Sequence, residues 1–243
     1  DLVVPGNPTG VWLEGTFTIN NAHVYDNDGT GLFSDQDRHV TVNGGRFHGN
    51  NIGIHMERGE IHDVVVYGNS SEGILANRHP ITLTGATVHS NEYGLHGTAW
   101  TGGTWSIRNN LFYNHSNTAL RFTDDGPDGT TIVNNTIYEP NADGVRTSGG
   151  HHDLTLRNNI IWTQNGHYGI RVADNSQAGF SSDFNLLYAT NGGIIGYWQG
   201  DRTDLTRWRF ATFQDAWSLS TDPEFVDVDG GDDVLGSTVA TPD

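Results

Sequence analysis

"RNNLFYN" at residues 108–114, "VNNTIYEPN" at 133–141 and "RNNIIWTQN" at 157–165 are one phrase written three times. Looser relatives of it lie on both sides. Aligning the chain on the aromatic or histidine that closes each phrase gives Tyr25, His48, Tyr67, His89, Tyr113, Tyr138, Trp162 and Tyr188. The gaps are 23, 19, 22, 24, 25, 24 and 26 residues. A period of about two dozen residues marks a solenoid, a propeller or an array.

The inside of the repeat chooses among these. A short alternating run comes first, as in "VTVNG", "ITLTG", "WSIRN" and "LTLRN". An Asn or Gly step follows, then a second short run such as "NTIY" or "NIIW". A polar turn leads to a third, Gly-aliphatic-x: "GLF", "GIH", "GIL", "GLH", "GVR" and "GIR", with "ALR" once. Three short strands between Gly/Asn turns make one coil of a β-solenoid. Propeller blades need four strands and about twice the length. Helical periodicity is absent from residues 16–188.

In a solenoid, equivalent residues of neighbouring coils stack about 4.8 Å apart. The spacing predicts one inward stack of Val24, Phe47, Val66, Val88, Phe112, Ile137, Ile161 and Leu187. A second is Leu32, Ile54, Ile74, Leu95, Leu120, Val145 and Ile170. Asn109/Asn110, Asn134/Asn135, Asn158/Asn159 and Asn185 are expected as amide ladders at a tight turn. The expected organisation is a single domain: an opening segment at 1–15, regular coils over 16–189, an irregular cap at 190–222, and a last partial coil with tail at 223–243. In the cap, "GDRTDLTRWRFATFQDAW" reads as an amphipathic helix with Thr203 or Asp204 at its N-cap and Leu205, Trp208, Phe213 and Trp217 as apolar residues. Such a cap covers the open end of the stack.

Composition narrows the function classes. All 12 basic residues are Arg, against 29 acids, for a net charge of −17. That balance disfavours nucleic acid, whose phosphates reward a basic surface. Without Lys there is no lysine base or Schiff base, and without Cys no disulfide or thiol chemistry. No apolar run reaches membrane-spanning length. The chain is expected to be an extracellular or cell-surface protein, either a monomer or an excised segment of a larger one.

The repeat phrases, "SDFNLLY" and the ending "DAWSLSTDPEFVDVDGGD" resemble the right-handed parallel β-helix proteins of the pectate-lyase-like superfamily. The resemblance covers about residues 16–233. It implies an all-β fold: one right-handed parallel β-helix of about eight coils, three short strands each, with a small C-terminal helical or loop cap. The superfamily holds lyases, epimerases, glycosidases and adhesins. The "NTD" and "RIK" signatures of polygalacturonases and the "DPHE" segment of mannuronan epimerases are absent, so no catalytic residue carries over by motif. A face does carry over. In pectate lyases the Asn ladder lies between the second and third sheets, which puts Gly-aliphatic-x on the first sheet, where the cleft of that superfamily lies.

On that face the x position forms the row Phe33, His55, Leu75, His96, Arg121, Arg146 and Arg171. Three stacked Arg need counter-charge. Either Asp124, Asp125, Asp143, Asp153 and Asp174 neutralise them as structural salt bridges, or they await the carboxylates of an acidic glycan, which guanidinium binds bidentately. The closing aromatics are an outward row that either stiffens the solenoid or offers sugar rings a platform.

Elimination or epimerisation of a uronate needs a neutralised carboxylate and a base for the C5 proton. His96 is the base candidate, because histidine ordinarily titrates near neutrality. Arg146 is the second catalytic candidate. His55, Arg121, Arg171, Tyr113, Tyr138 and Trp162 are the substrate-binding candidates. Ca²⁺ is the one cofactor considered, on Asp124, Asp125 and Asp128 of "TDDGPDG". "DVDGGDD" shares only composition with a calcium loop. The partner expected is an acidic polysaccharide, bound and then cleaved or epimerised. The alternative is a non-catalytic structural or adhesive module of a larger surface protein.

Overall fold

A strand that offers one aliphatic side chain inward per coil can bury it only against the next coil. The computed structural model describes residues 2–35, 38–98, 103–123, 129–227 and 235, and they form that stack. About eight coils follow one another, each with strands on three faces. The first face holds Val11–Glu14, Thr30–Asp35, Ile52–Met56, Glu72–Ala76, Tyr93–Gly97, Thr118–Phe122, Asp143–Thr147, Tyr168–Val172 and Ile194–Tyr197, all parallel. The second runs from Gly59–His62 to Ser181–Asp183, and the third from Val65–Tyr67 to Leu186–Ala189. At the N-terminal end, the nine-residue strands Phe17–Tyr25 and Val40–His48 cross from second face to third without a break. They join those faces into one 15-stranded sheet.

Both expected inward stacks exist, and every member is buried. The second face adds a third stack, Val42, Ile61, Leu83, Ile107, Ile132 and Leu156, paired in register. Each such side chain contributes about 1.5–3 kcal/mol by leaving water. The Gly before each of these first-face aliphatics except Leu120, which follows Ala119, is there because coils approach closely. A Cβ on Gly53 would sit 2.6 Å from the carbonyl oxygen of Gly73.

The two residues of each "NN" divide the work at the turn between second and third faces. Asn109, Asn134 and Asn158 take left-handed backbone, with φ of 58°, 57° and 55°, which Asn tolerates better than most residues. Only the second Asn forms the ladder. Asn110 Nδ2 donates to Asn135 Oδ1 (2.9 Å), Asn135 to Asn159 (3.1 Å) and Asn159 to Asn185 (3.0 Å). A second ladder, unforeseen in the sequence, fills the turn from third face to first: Asn27, Asn50, Asn69 and Asn91, at 2.8, 3.1 and 3.0 Å. The next coil places His115 there, and the buried Glu139 carboxylate takes over as acceptor. It receives the His115 backbone N–H at 2.9 Å and lies 2.5 Å from Nδ1.

The cap begins as expected, with Asp204 accepting from the Arg207 N–H at 2.8 Å ahead of the helix Leu205–Thr212. Leu205 and Trp208 are buried. Phe213 and Trp217 are not part of the apolar face. The helix stops at Thr212 because Phe213 turns left-handed (φ 57°), which leaves Phe213 87 % and Trp217 72 % exposed. Among the described residues the last rung lies at residues 218–219, where Leu219 bridges Leu186 in parallel. Most of 223–243 falls outside the described residues. Of the rest, Phe225 lies against Trp162 (5.9 Å between ring centroids), and Asn114 donates to the Leu235 carbonyl.

Asp215 ties this cap to the ladder. Its buried carboxylate accepts from the Trp208 indole at 2.7 Å, Ser182 Oγ at 3.0 Å and Asn185 Nδ2 at 3.2 Å. Asp215→Ala strands these buried donors and is expected to cost about 2–3 kcal/mol in urea unfolding. Asp215→Asn, which keeps an acceptor oxygen, should lose less; equal losses would show that the acceptor is not what matters.

Candidate functional site

Along each first-face strand the described residues alternate between core and solvent so that x points outward. Strand register then assembles one row: Trp12, Phe33, His55, Leu75, His96, Arg121, Arg146, Arg171 and Tyr197. Its character changes midway. The first part is aromatic and apolar, with Trp12 on Phe33 (4.7 Å) and Phe33 on His55 (4.6 Å). Burial pushes the His55 pKa down, so this imidazole is held neutral. His55 and the cationic residues thus share a row but not a neighbourhood, being separated by Leu75.

The second part is cationic, and its three Arg are not equivalent. Arg121 lies over the Tyr93 ring at 4.9 Å. Arg171 lies over Tyr168 at 5.0 Å and Tyr197 at 5.7 Å, with Asp143 Oδ2 at 3.7 Å. Arg146, between them, has no hydrogen bond or ion pair with any of the described residues. Burial, and next the charge of Arg171, lower its pKa from the ordinary guanidinium value. It lines a cleft of about 330 Å³ with Arg171, Ser148, Asp174, Asn175 and Tyr197. Of the acids expected to neutralise the row, Asp143 reaches Arg171. Asp124, Asp125 and Asp128 lie outside the described residues, so the calcium reading rests on sequence. Among the described residues no three His, Asp or Glu are grouped to hold a metal ion.

His96 adjoins the cationic part through Arg121, and two residues that the sequence alone did not single out hold it. Its Nδ1 lies 3.1 Å from Glu72 Oε1, and its Nε2 lies 3.1 Å from Thr123 Oγ1. The His96 hydrogen bond is the largest influence lowering the Glu72 pKa, so the carboxylate is ionised and accepts. Glu72 sits three residues before x, and Thr123 two after. Reading those flanking positions down the coils gives Glu72, Tyr93, Thr118, Asp143 and Tyr168 on one side, and Asn77, Thr98, Thr123 and Ser148 on the other. That polar enrichment was the available signal.

The aromatic row stacks as aligned but on the third face, apart from the Arg row. His48–Tyr67, Tyr67–His89 and His89–Tyr113 centroids are 4.6, 5.0 and 4.6 Å apart, with the rings stacked nearly parallel. Tyr113 pairs in register with Tyr138, and Tyr138–Trp162 is 4.6 Å but tilted. Tyr113 is buried, Tyr138 and Trp162 half-buried. Stacking within the row uses the ring faces that a sugar would need.

No helix among the described residues is long and apolar enough to cross a membrane. No curated protein and no solved structure matches the chain. One family model does, over residues 6–112 and again over 58–207, the overlap reflecting a repeat that can be matched in more than one phase. With that match and the parallel three-faced stack, the chain belongs to the family described as the right-handed beta helix region.

Proposed function

We propose that the first face binds an acidic polysaccharide, its carboxylates seated along Arg121, Arg146 and Arg171. The observation that carries this reading is Arg146, a half-buried cation between two others that makes no ion pair among the described residues, the nearby Asp143 carboxylate being paired with Arg171. Like charges so placed cost free energy that a bound anion returns. Tyr93, Tyr168 and Tyr197 beside them offer rings to sugar faces. A net charge of −17 repels a polyanion at long range, so affinity must come from these close contacts. An extracellular or cell-surface location fits such a partner. A non-catalytic surface module would use the same face, and binding alone does not separate it from an enzyme.

The test is calorimetric titration with a polyuronate panel. Arg146→Ala should weaken binding roughly 10-fold or more, since a hydrogen bond to a charged group contributes about 1.5–3 kcal/mol. Its melting temperature should scarcely move, because the side chain leaves no partner stranded. Raising salt from about 0.15 M to 1 M shrinks the Debye length from about 8 Å to 3 Å and should weaken binding further. Run with calcium and with chelator, the titration shows whether binding depends on calcium at all, as the reading of Asp124, Asp125 and Asp128 requires. Undiminished binding by Arg146→Ala would overturn the reading.

A further inference from the structure

We infer that Glu72, His96 and Thr123 form a carboxylate–imidazole–hydroxyl triad that hydrolyses acyl esters, with Thr123 as nucleophile. Three successive coils supply one member each. Thr123 follows the strand Thr118–Phe122, His96 lies in Tyr93–Gly97 and Glu72 opens Glu72–Ala76. The side chains of Glu72 and His96 are each 14 % exposed, so the pair is shielded but open at one side.

The hydrogen bonding sets the direction of proton flow. An ionised carboxylate only accepts, so Glu72 Oε1 takes the Nδ1–H of His96 at 3.1 Å. A neutral imidazole with its proton on Nδ1 has a lone pair on Nε2. Thr123 therefore donates its hydroxyl proton to Nε2 across 3.1 Å, the arrangement in which a base activates an alcohol. Ser71 Oγ donates to Glu72 Oε2 at 2.7 Å and fixes the carboxylate from behind. Arg121 is the strand neighbour of His96 and is held over Tyr93, whose ring lies 5.5 Å from that of His96. It is a fixed cation beside the place where a tetrahedral oxyanion would form. This arrangement disfavours His96 as the base for a C5 proton, because its free lone pair is already directed at Thr123.

The reaction balances within the site. Thr123 Oγ adds to the ester carbonyl as its proton passes to His96 Nε2. The tetrahedral adduct collapses, and the departing alcohol takes that proton. Water, deprotonated by Nε2, then cleaves the acyl–threonine ester, releasing carboxylic acid and free Thr123. Thr123 and His96 are the catalytic residues, and Glu72 is a positioning residue. The neighbouring Arg row makes O-acylated acidic glycan the substrate class. That choice of substrate rests on the binding reading above; the triad chemistry does not.

The test uses 4-nitrophenyl acetate, which needs no glycan site, beside an O-acetylated polyuronate. Wild type should hydrolyse both, and a fluorophosphonate should label Thr123, identified by peptide mass spectrometry. Thr123→Val should abolish labelling, and Thr123→Ser should restore it. His96→Gln should lower turnover about 10²–10⁴-fold. Glu72→Gln should lower kcat with KM unchanged, with partial recovery in Glu72→Asp. Hydrolysis of 4-nitrophenyl acetate with no turnover of the polymer would leave the triad standing and overturn the choice of substrate, so the triad and the glycan site can fail separately. Absence of both hydrolysis and labelling in folded wild type would overturn the triad, as would full activity in Thr123→Val.

Discussion

Glu139→Ala is expected to destabilise the protein by about 3–5 kcal/mol, the cost of removing one partner from a fully buried ionic or hydrogen-bonded pair. Both side chains of the His115–Glu139 pair are inaccessible to solvent. Glu139 does two jobs, accepting the His115 backbone N–H and bonding its ring. Alanine leaves the amide and Nδ1 buried without an acceptor, and no neighbouring Asn can substitute. The Asn ladder that serves this turn in earlier coils ends at Asn91. Glu139→Gln keeps one acceptor oxygen and should lose markedly less in urea unfolding. If alanine and glutamine cost the same small amount, the pair is not a structural link between coils.

Acid should destabilise the solenoid on a similar scale. Burial, followed by the charge of His115, holds the His89 pKa at about 3, and burial followed by His152 holds His151 at about 4. His89 is stacked between Tyr67 and Tyr113, and His151 bonds Thr130 Oγ1 at 2.7 Å. Both rings are neutral in the fold, whereas the unfolded chain takes up protons near pH 6.5. Their contribution is therefore complete above about pH 6.5 and is lost as pH falls towards 4 and then 3. Each pH unit in that window costs about 1.4 kcal/mol per histidine, on the order of 5 kcal/mol for the two by pH 4.5. Unfolding midpoints measured from pH 8 to 4 should show this slope. His89→Phe, which keeps the stack, should remove about half of it. An unchanged slope in that variant would mean that His89 does not stay neutral.

The inward stacks were legible because a parallel β-helix writes each of them as one residue type at one period. The x row was legible for the same reason. The second ladder was equally periodic, two residues beyond the aromatic row at Asn27, Asn50, Asn69 and Asn91, yet its turns share no phrase as conspicuous as "NN". The Glu72–His96–Thr123 contacts were not legible. Their members lie 24 and 27 residues from His96, at different offsets in their coils, and meet only when strand pairing sets the register. Phe213 misled for a local reason. An apolar residue at helical spacing belongs to the buried face only while the helix lasts, and this one ends in a left-handed turn.

The proposal that the first face takes an acidic glycan is open to one direct measurement, because half-buried aromatic side chains report on each side. Tyr93, Tyr168 and Tyr197 flank the Arg row, and Tyr138, Trp162 and Tyr188 belong to the third face. Hydroxyl-radical footprinting with and without a saturating polyuronate, read residue by residue by mass spectrometry, compares the two sets in one sample. Protection of Tyr93, Tyr168 and Tyr197 with unchanged oxidation of Tyr138, Trp162 and Tyr188 is the predicted result. Protection confined to the third-face set would contradict it.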